Sequence, residues 1–298
     1  MFMTHIKELP SSITYFTSLR ELILPETHIK ELPLSIGDLT SLVELNVSKT
    51  PIRELPSSIG DLTSLDELDV SETLIEELPS SIGDLTFLKR LNLSKTPIRE
   101  LPSSITNVPH GVYGGLQHLE YLNLSWCPKL VTFPSAESLP LMLPSNSLLF
   151  PQLQRLYFQG CQLSVVSDFL TNLACASTLW ILNLSGSSFD SLPACISKFS
   201  RLESLDLSGC KRLRDISELP PNIRGINLDD CVSLERFSKL SNILEQKDTP
   251  GHLRSMNLSN CNRLMDNLGM DVVSKMAKAL LNQLVRAGFE LIPNNILV

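Results

Sequence analysis

The amino-acid sequence predicts an α/β solenoid. This is a curved, horseshoe-like stack of short repeats with a parallel β-sheet on the concave face. Short turns, 3-10 segments and helical segments make the convex face. Three observations predict it. Leu19, Leu42, Leu65 and Leu88 each open the same phrase, L-x-x-L-x-[LV]-x-x-T-x-I-x-E-L-P-x-S-I-G-D-L-T-x, at a spacing of 23 residues, the copy from Leu88 keeping it as far as Ile105. The opening recurs with less regular spacing at Leu119, Leu153, Leu179, Leu202, Ile223 and Leu253, each time with apolar residues three and five positions on. A unit of this length cannot bury its apolar face alone, so it must stack on its neighbours and leave one long open surface.

The opening half of each unit reads as a short strand. Its alternation points Leu122 and Leu124, or Leu156 and Phe158, inward and the residues between them outward. This is the leucine-rich repeat core, and it covers residues 6–264. The second half turns the chain back across the convex side. Pro33, Pro56, Pro79 and Pro102 suit an outer turn because they fix φ and donate no hydrogen bond. Ile36 and Leu39, with their later equivalents, fill the core from that side, each worth roughly 1.5–3 kcal/mol of burial. Inserts near 107–115, 134–151 and 242–252 break the rhythm and read as surface loops, with overhang of the open face as the functional alternative. From residue 267 the pattern turns helical. Val272, Val273, Met276, Ala277, Leu280, Leu281 and Leu284 share one face, as a helix covering the last repeat requires. The expected division is therefore a repeat domain over 1–266 and a capping helix and tail over 267–298.

Eight residues after each opening lies one structural column. It holds Thr27, Thr50, Thr73 and Thr96, then Cys127, Cys161, Ser187, Cys210, Cys231 and Cys261. Five of the seven cysteines thus occupy a tight turn where a small side chain packs inside and bonds to the backbone. They read as free buried thiols, while Cys175 and Cys195 lie outside the column without a CxxC partner. This usage suits a reducing compartment. The N-x-S triplets at Asn46, Asn92, Asn123, Asn183 and Asn257 all come from one strand position and read as by-products of the repeat. The N-terminus lacks the basic region and apolar core of a signal peptide, and no apolar run is long enough to span a membrane. Cytoplasm is the expected location, with the nucleus as a second compartment.

Chemistry is not legible. There is no phosphate-binding glycine loop, no H-E-x-x-H spacing among the five histidines and no G-x-S-x-G. Glu31, Glu54, Glu77 and Glu100 form a ladder at repeat spacing, which reads as a solvated stripe partly neutralised by Lys30, Arg53 and Arg99. No enzyme, cofactor or metal site is expected. The net charge of −7 argues against general nucleic-acid binding. Oligomeric state is not legible.

The open face is the candidate site. Its early repeats are charged, and Lys49 and Lys95 alternate with Glu26 and Glu72 at the strand exit. Its late repeats are small and polar. The middle repeats carry Tyr121, Trp126, Arg155, Tyr157, Trp180 and Ile181, with both tryptophans read as outward strand residues. Exposed Trp, Tyr and Arg are the usual makings of a binding hot spot, so these six are the expected protein-binding residues. The alternative is that the rings pack on one another and stiffen the sheet.

The phrases T-x-I-x-E-L-P-S-S-I-G-D-L-T-S-L and LDLSGCKRL at 205–213 resemble plant intracellular immune receptors. With ELPPNIRGINLDDCVSL at 218–234, the chain is most similar to the leucine-rich repeat region of their TIR-NB-ARC-LRR class. The resemblance implies a role in defence. The partner it implies is a pathogen effector, or a TIR or NB-ARC domain in cis or in trans. The sequence shows neither of those domains and opens inside a repeat, so a partial or truncated receptor is expected. An intracellular scaffold like the Ras-group repeat proteins, which also use 23-residue repeats with L-P, is the alternative.

Overall fold

The structure is a computed structural model, described here over residues 6–105, 115–130, 150–161, 177–238 and 253–268, with 170, 240 and 274. Ten short strands form one parallel sheet: β1 (Glu21–Ile23), β2 (Glu44–Asn46), β3 (Glu67–Asp69), β4 (Arg90–Asn92), β5 (Tyr121–Asn123), β6 (Arg155–Tyr157), β7 (Ile181–Asn183), β8 (Ser204–Asp206), β10 (Gly225–Asn227) and β12 (Ser255–Asn257). They pair in chain order, each with the equivalent strand of the next repeat. The middle residue of each strand points into the core, and Leu45, Leu68, Leu91, Leu122, Leu156 and Leu182 are fully buried. One continuous core runs along the stack.

The convex side repeats as regularly. Each proline before S-I-G-D is extended, as at Pro33 (φ −66°, ψ 148°), and its carbonyl accepts from the Ile36 N–H at 2.9 Å to open the 3-10 turn Leu34–Asp38. Equivalent turns span Ser57–Asp61 and Ser80–Asp84. The isoleucine is buried, and the glycine after it lies against the next turn. A Cβ on Gly60 would stand 2.6 Å from the Ser81 carbonyl oxygen. Neighbouring turns therefore approach backbone to backbone, which requires glycine.

The turn leaving each strand explains two sequence patterns. Asn46 Oδ1 accepts from the Ser48 N–H at 3.0 Å and its hydroxyl at 2.8 Å, and Asn92, Asn183 and Asn257 hold their serines the same way. The N-x-S triplets are thus turn-forming side chains, and Asp69 and Asp206 take the same role. The small column behind them is buried, as expected, but its threonines and cysteines bond differently. Thr50 Oγ1 donates to the Val47 carbonyl of its own turn at 2.6 Å. Cys161 Sγ instead donates across to Leu124 of the preceding repeat at 2.9 Å, Cys231 to Leu207 at 3.2 Å and Cys261 to Leu228 at 3.1 Å. Burial pushes the Cys161 thiol up to about 11 and the Cys231 thiol up to about 12. Six cysteines are free and buried among the described residues; Cys175 lies outside them.

The late repeats add a second parallel sheet of β9 (Asp215–Ile216) and β11 (Arg236–Phe237). It follows from the G-C-x-x-L phrase: the cysteine and Leu213 are buried, and three residues later Ile216 enters the core from the new strand. A short helix, α1 (Asn262–Asn267), begins ahead of the expected boundary at 267 and buries Leu264. The expected helical face from Val272 to Leu284 lies outside the described residues, as do nearly all of the three inserts.

Candidate protein-recognition surface

The parallel register lines up outward side chains as rows across the concave face. The first residues of the strands form one row, from Glu21, Glu44 and Glu67 to Arg90, Tyr121, Arg155 and Ile181, and on to Ser204. The third residues form another, in which Asn123, Tyr157 and Asn183 are neighbours. From Glu67 onward the identity changes at every step of the first row, whereas the third row holds Asn or Asp except at Ile23 and Tyr157, and the inward residues scarcely change.

Three stacked carboxylates occupy the start of the first row. Burial, then repulsion from Glu67 and Glu21, raises the Glu44 carboxyl above its ordinary range. The ladder ends at Arg90, whose Nε pairs with Glu67 at 3.0 Å and whose guanidinium lies 4.9 Å from the centre of the Tyr121 ring. Tyr121 and Tyr157 then meet with ring centroids 5.4 Å apart and planes at 44°. Asn123 Nδ2 donates to the Tyr121 hydroxyl at 3.3 Å. Burial is the main reason that this hydroxyl's pKa is raised. Arg90, Tyr121 and Tyr157 are thus one assembled cluster. Arg155 is exposed between Tyr121 and Ile181 in the row and has no ion pair among the described residues.

The tryptophans stand apart from this cluster. Trp126 is not in the strand but in the turn after β5, in the left-handed region at φ 59°. Its indole lies on Gly160 of the next repeat, where a Cβ would sit 2.6 Å from Cζ3. Trp180 directly precedes β7. The two are 50% and 46% exposed at opposite ends of the strands, flanking the tyrosines. Of the six expected residues, Tyr121, Arg155, Tyr157 and Ile181 share strands β5 to β7, and the tryptophans mark the two rims.

The left-handed position recurs in every repeat and was missed in the sequence. It holds Glu26, Lys49, Glu72, Lys95 and Trp126, then Gly160, Gly186 and Gly209, then Asp230 and Asn260. The closing run of Gly, Asp and Asn, residues that tolerate this conformation, was the available signal. The alternating charges there are ion pairs between repeats: Lys49 to Glu26 at 2.7 Å and Lys95 to Glu72 at 3.1 Å. The expected neutralisation of the Glu100 ladder by Arg99 takes a different form. Arg99 donates to Glu76 of the preceding repeat at 2.7 Å, and Lys129 joins it there at 2.8 Å. The hydrogen bonds from Lys129 and Arg99 lower the Glu76 carboxyl.

Comparison with known proteins places this architecture. A family model described as disease resistance protein RPS4B-like, leucine-rich repeats, matches residues 66–256. The chain belongs to this family. A second model, of a leucine-rich repeat region, matches residues 1–72. The chain is 31% identical to disease resistance protein RPS4B of Arabidopsis thaliana over 137 residues, covering 43% of this chain and 12% of that protein. It is 39% identical to TMV resistance protein N of Nicotiana glutinosa over 59 residues, covering 20% of this chain and 5% of that protein. The chain thus spans only a small part of the length of these relatives. Among solved structures, a chain of the octameric complex of latrophilin 3, Unc5D and FLRT2 superposes with a TM-score of 0.58 at 16% identity. The match covers 87% of this chain and 77% of that one, and it shows the shared fold.

Proposed function

We propose that this leucine-rich repeat region is a non-catalytic recognition module in plant defence. Its concave face binds a protein, either a pathogen effector or a signalling domain of the receptor to which such repeats belong. The observation that carries this reading is the contrast between constant inward residues and the changing first outward row, which reaches an Arg- and Tyr-rich cluster on β4 to β6. Tyr, Trp and Arg are enriched in binding hot spots: the two aromatics bury large area with only two side-chain torsions, and Arg presents a planar fork of donors. The disease-resistance family supports the setting in defence. The cytoplasm, with the nucleus as a second compartment, is the proposed location, and the buried free thiols support a reducing environment.

Proximity labelling in plant cells tests the reading. The wild-type chain is compared with the double variant Tyr121→Ala/Tyr157→Ala, with circular dichroism to establish that both fold alike. A specific set of labelled proteins, lost in the folded variant, is expected. The same labelled set from both chains would remove the concave cluster as the binding surface.

A further inference from the structure

The first-residue row of the sheet has a polarity that its internal ion pairs leave unspent. Arg90 closes the acidic end by pairing with Glu67, and its cation is covered on one side by Tyr121. Glu21 at the edge of the row has no ion pair among the described residues, and neither do two charges of opposite sign further in: Glu44 on β2, flanked by carboxylates on both sides, and Arg155 on β6. They face the same way because register alone connects them, through Glu67, Arg90 and Tyr121. Four strand spacings separate them, or about 19 Å at the usual 4.7–4.9 Å per strand. An extended chain laid across the strands rises about 3.3 Å per residue, so about six residues span that distance. Between the charges the row offers the Glu67–Arg90 pair and then Tyr121, whose ring meets Tyr157 of the neighbouring row.

We propose that this row docks an extended segment of a protein partner carrying a basic residue and an acidic residue six positions apart, the basic one over Glu44 and the acidic one at Arg155. The inference rests on the concave face being the protein-binding surface. Charge complementarity selects the occupant. A cation over Glu44 offsets its repulsion from Glu21 and Glu67, the neighbours on either side of it in the row. A carboxylate at Arg155 takes up the planar donors of its guanidinium beside Tyr157. Aromatic or aliphatic residues between the two charges lie on the tyrosines. A nucleic-acid strand meets the carboxylates with its own charge and is excluded from the same row.

Immobilised twelve-residue peptides test the spacing. Each holds one Lys and one Glu, two to nine positions apart, in both orders, with Ser, Ala and Tyr between them. The folded chain is passed over them with its Glu44→Gln, Arg155→Gln and Glu44→Lys/Arg155→Glu variants. Retention is expected to peak at a separation of six in one order, and to fall at least fivefold in each single variant. In the charge-swapped variant the preferred order of Lys and Glu is expected to invert. Retention that follows peptide net charge without a spacing optimum overturns the proposal. So does a peak that the variants leave in place. If no peptide is retained, while Tyr121→Ala/Tyr157→Ala still abolishes labelling in cells, the spacing inference falls and the concave recognition surface stands.

Discussion

Single residues on this surface are held by their neighbours in the adjoining repeats. Glu44 stacks in register between two other glutamates, and its raised pKa means that the folded chain holds the proton more readily than the unfolded one. The contribution of Glu44 to stability is therefore greatest when it is protonated and falls as pH rises through the window just above the ordinary carboxylate range. Glu44→Gln is expected to raise stability at pH 7 and to change it little at pH 4. Because the site is largely solvent-screened, the gain is held to roughly 0.2–0.5 kcal/mol. Denaturant titrations at the two pH values check it. Gly160 is constrained twice, by φ 67° and by the indole of Trp126. Gly160→Ala is expected to cost roughly 1–3 kcal/mol and to shift the emission of Trp126. Gly186→Ala, at φ 70° but with its Cβ 3.5 Å from Gly160, carries the backbone cost alone. If the two variants lose equal stability with no change in emission, the indole is not seated on Gly160.

At the scale of the element, each of the first four repeats is a strand, a left-handed turn and a 3-10 turn, and each piece has a different chemical cause. The strand follows from alternation, and the 3-10 turn follows from proline before S-I-G-D. Both were legible because they obey simple periodicity. The left-handed turn was not legible, since charged residues in the first four repeats hide a position that Gly, Asp and Asn reveal only later. That is why Trp126 was read as a strand residue and its seat on Gly160 went unseen. The convex turns are the tightest joints of the stack. Gly60→Ala places a methyl 2.6 Å from the Ser81 carbonyl oxygen and 2.9 Å from its Cβ, and backbone on both sides cannot yield cheaply. A loss of roughly 1–3 kcal/mol is expected from thermal or denaturant unfolding. A neutral effect would mean that neighbouring turns are further apart than described.

Across the whole molecule, the repeat makes a rigid inner row and a variable outer one. Each repeat touches mainly its neighbours, so a change on one outer row leaves distant repeats intact. That separation lets a binding surface diversify without loss of the fold. It also limits what the sequence discloses: the scaffold residues repeat and are readable, whereas the Arg90–Tyr121–Tyr157 cluster exists only through register between repeats of unequal length. The residues from 88 to 119 and from 119 to 153 include inserts, and only the structure brings β4, β5 and β6 side by side. Tyr121, Tyr157, Arg155 and Ile181 were legible as outward residues, but their partners and the flanking placement of the tryptophans were not.

A protein partner held on the concave face across β4 to β7 covers the aromatic rings there. Oxidative footprinting of the chain, alone and with a partner recovered by proximity labelling, tests it most directly, because aromatic side chains report their own solvent access. Tyr15 and Phe87 are exposed away from the concave rows and serve as internal references. Tyr121, Tyr157 and Trp180 are expected to lose reactivity on binding while Tyr15 and Phe87 keep theirs. Protection of Tyr15 or Phe87, with the concave rings as reactive as in the free chain, would contradict it.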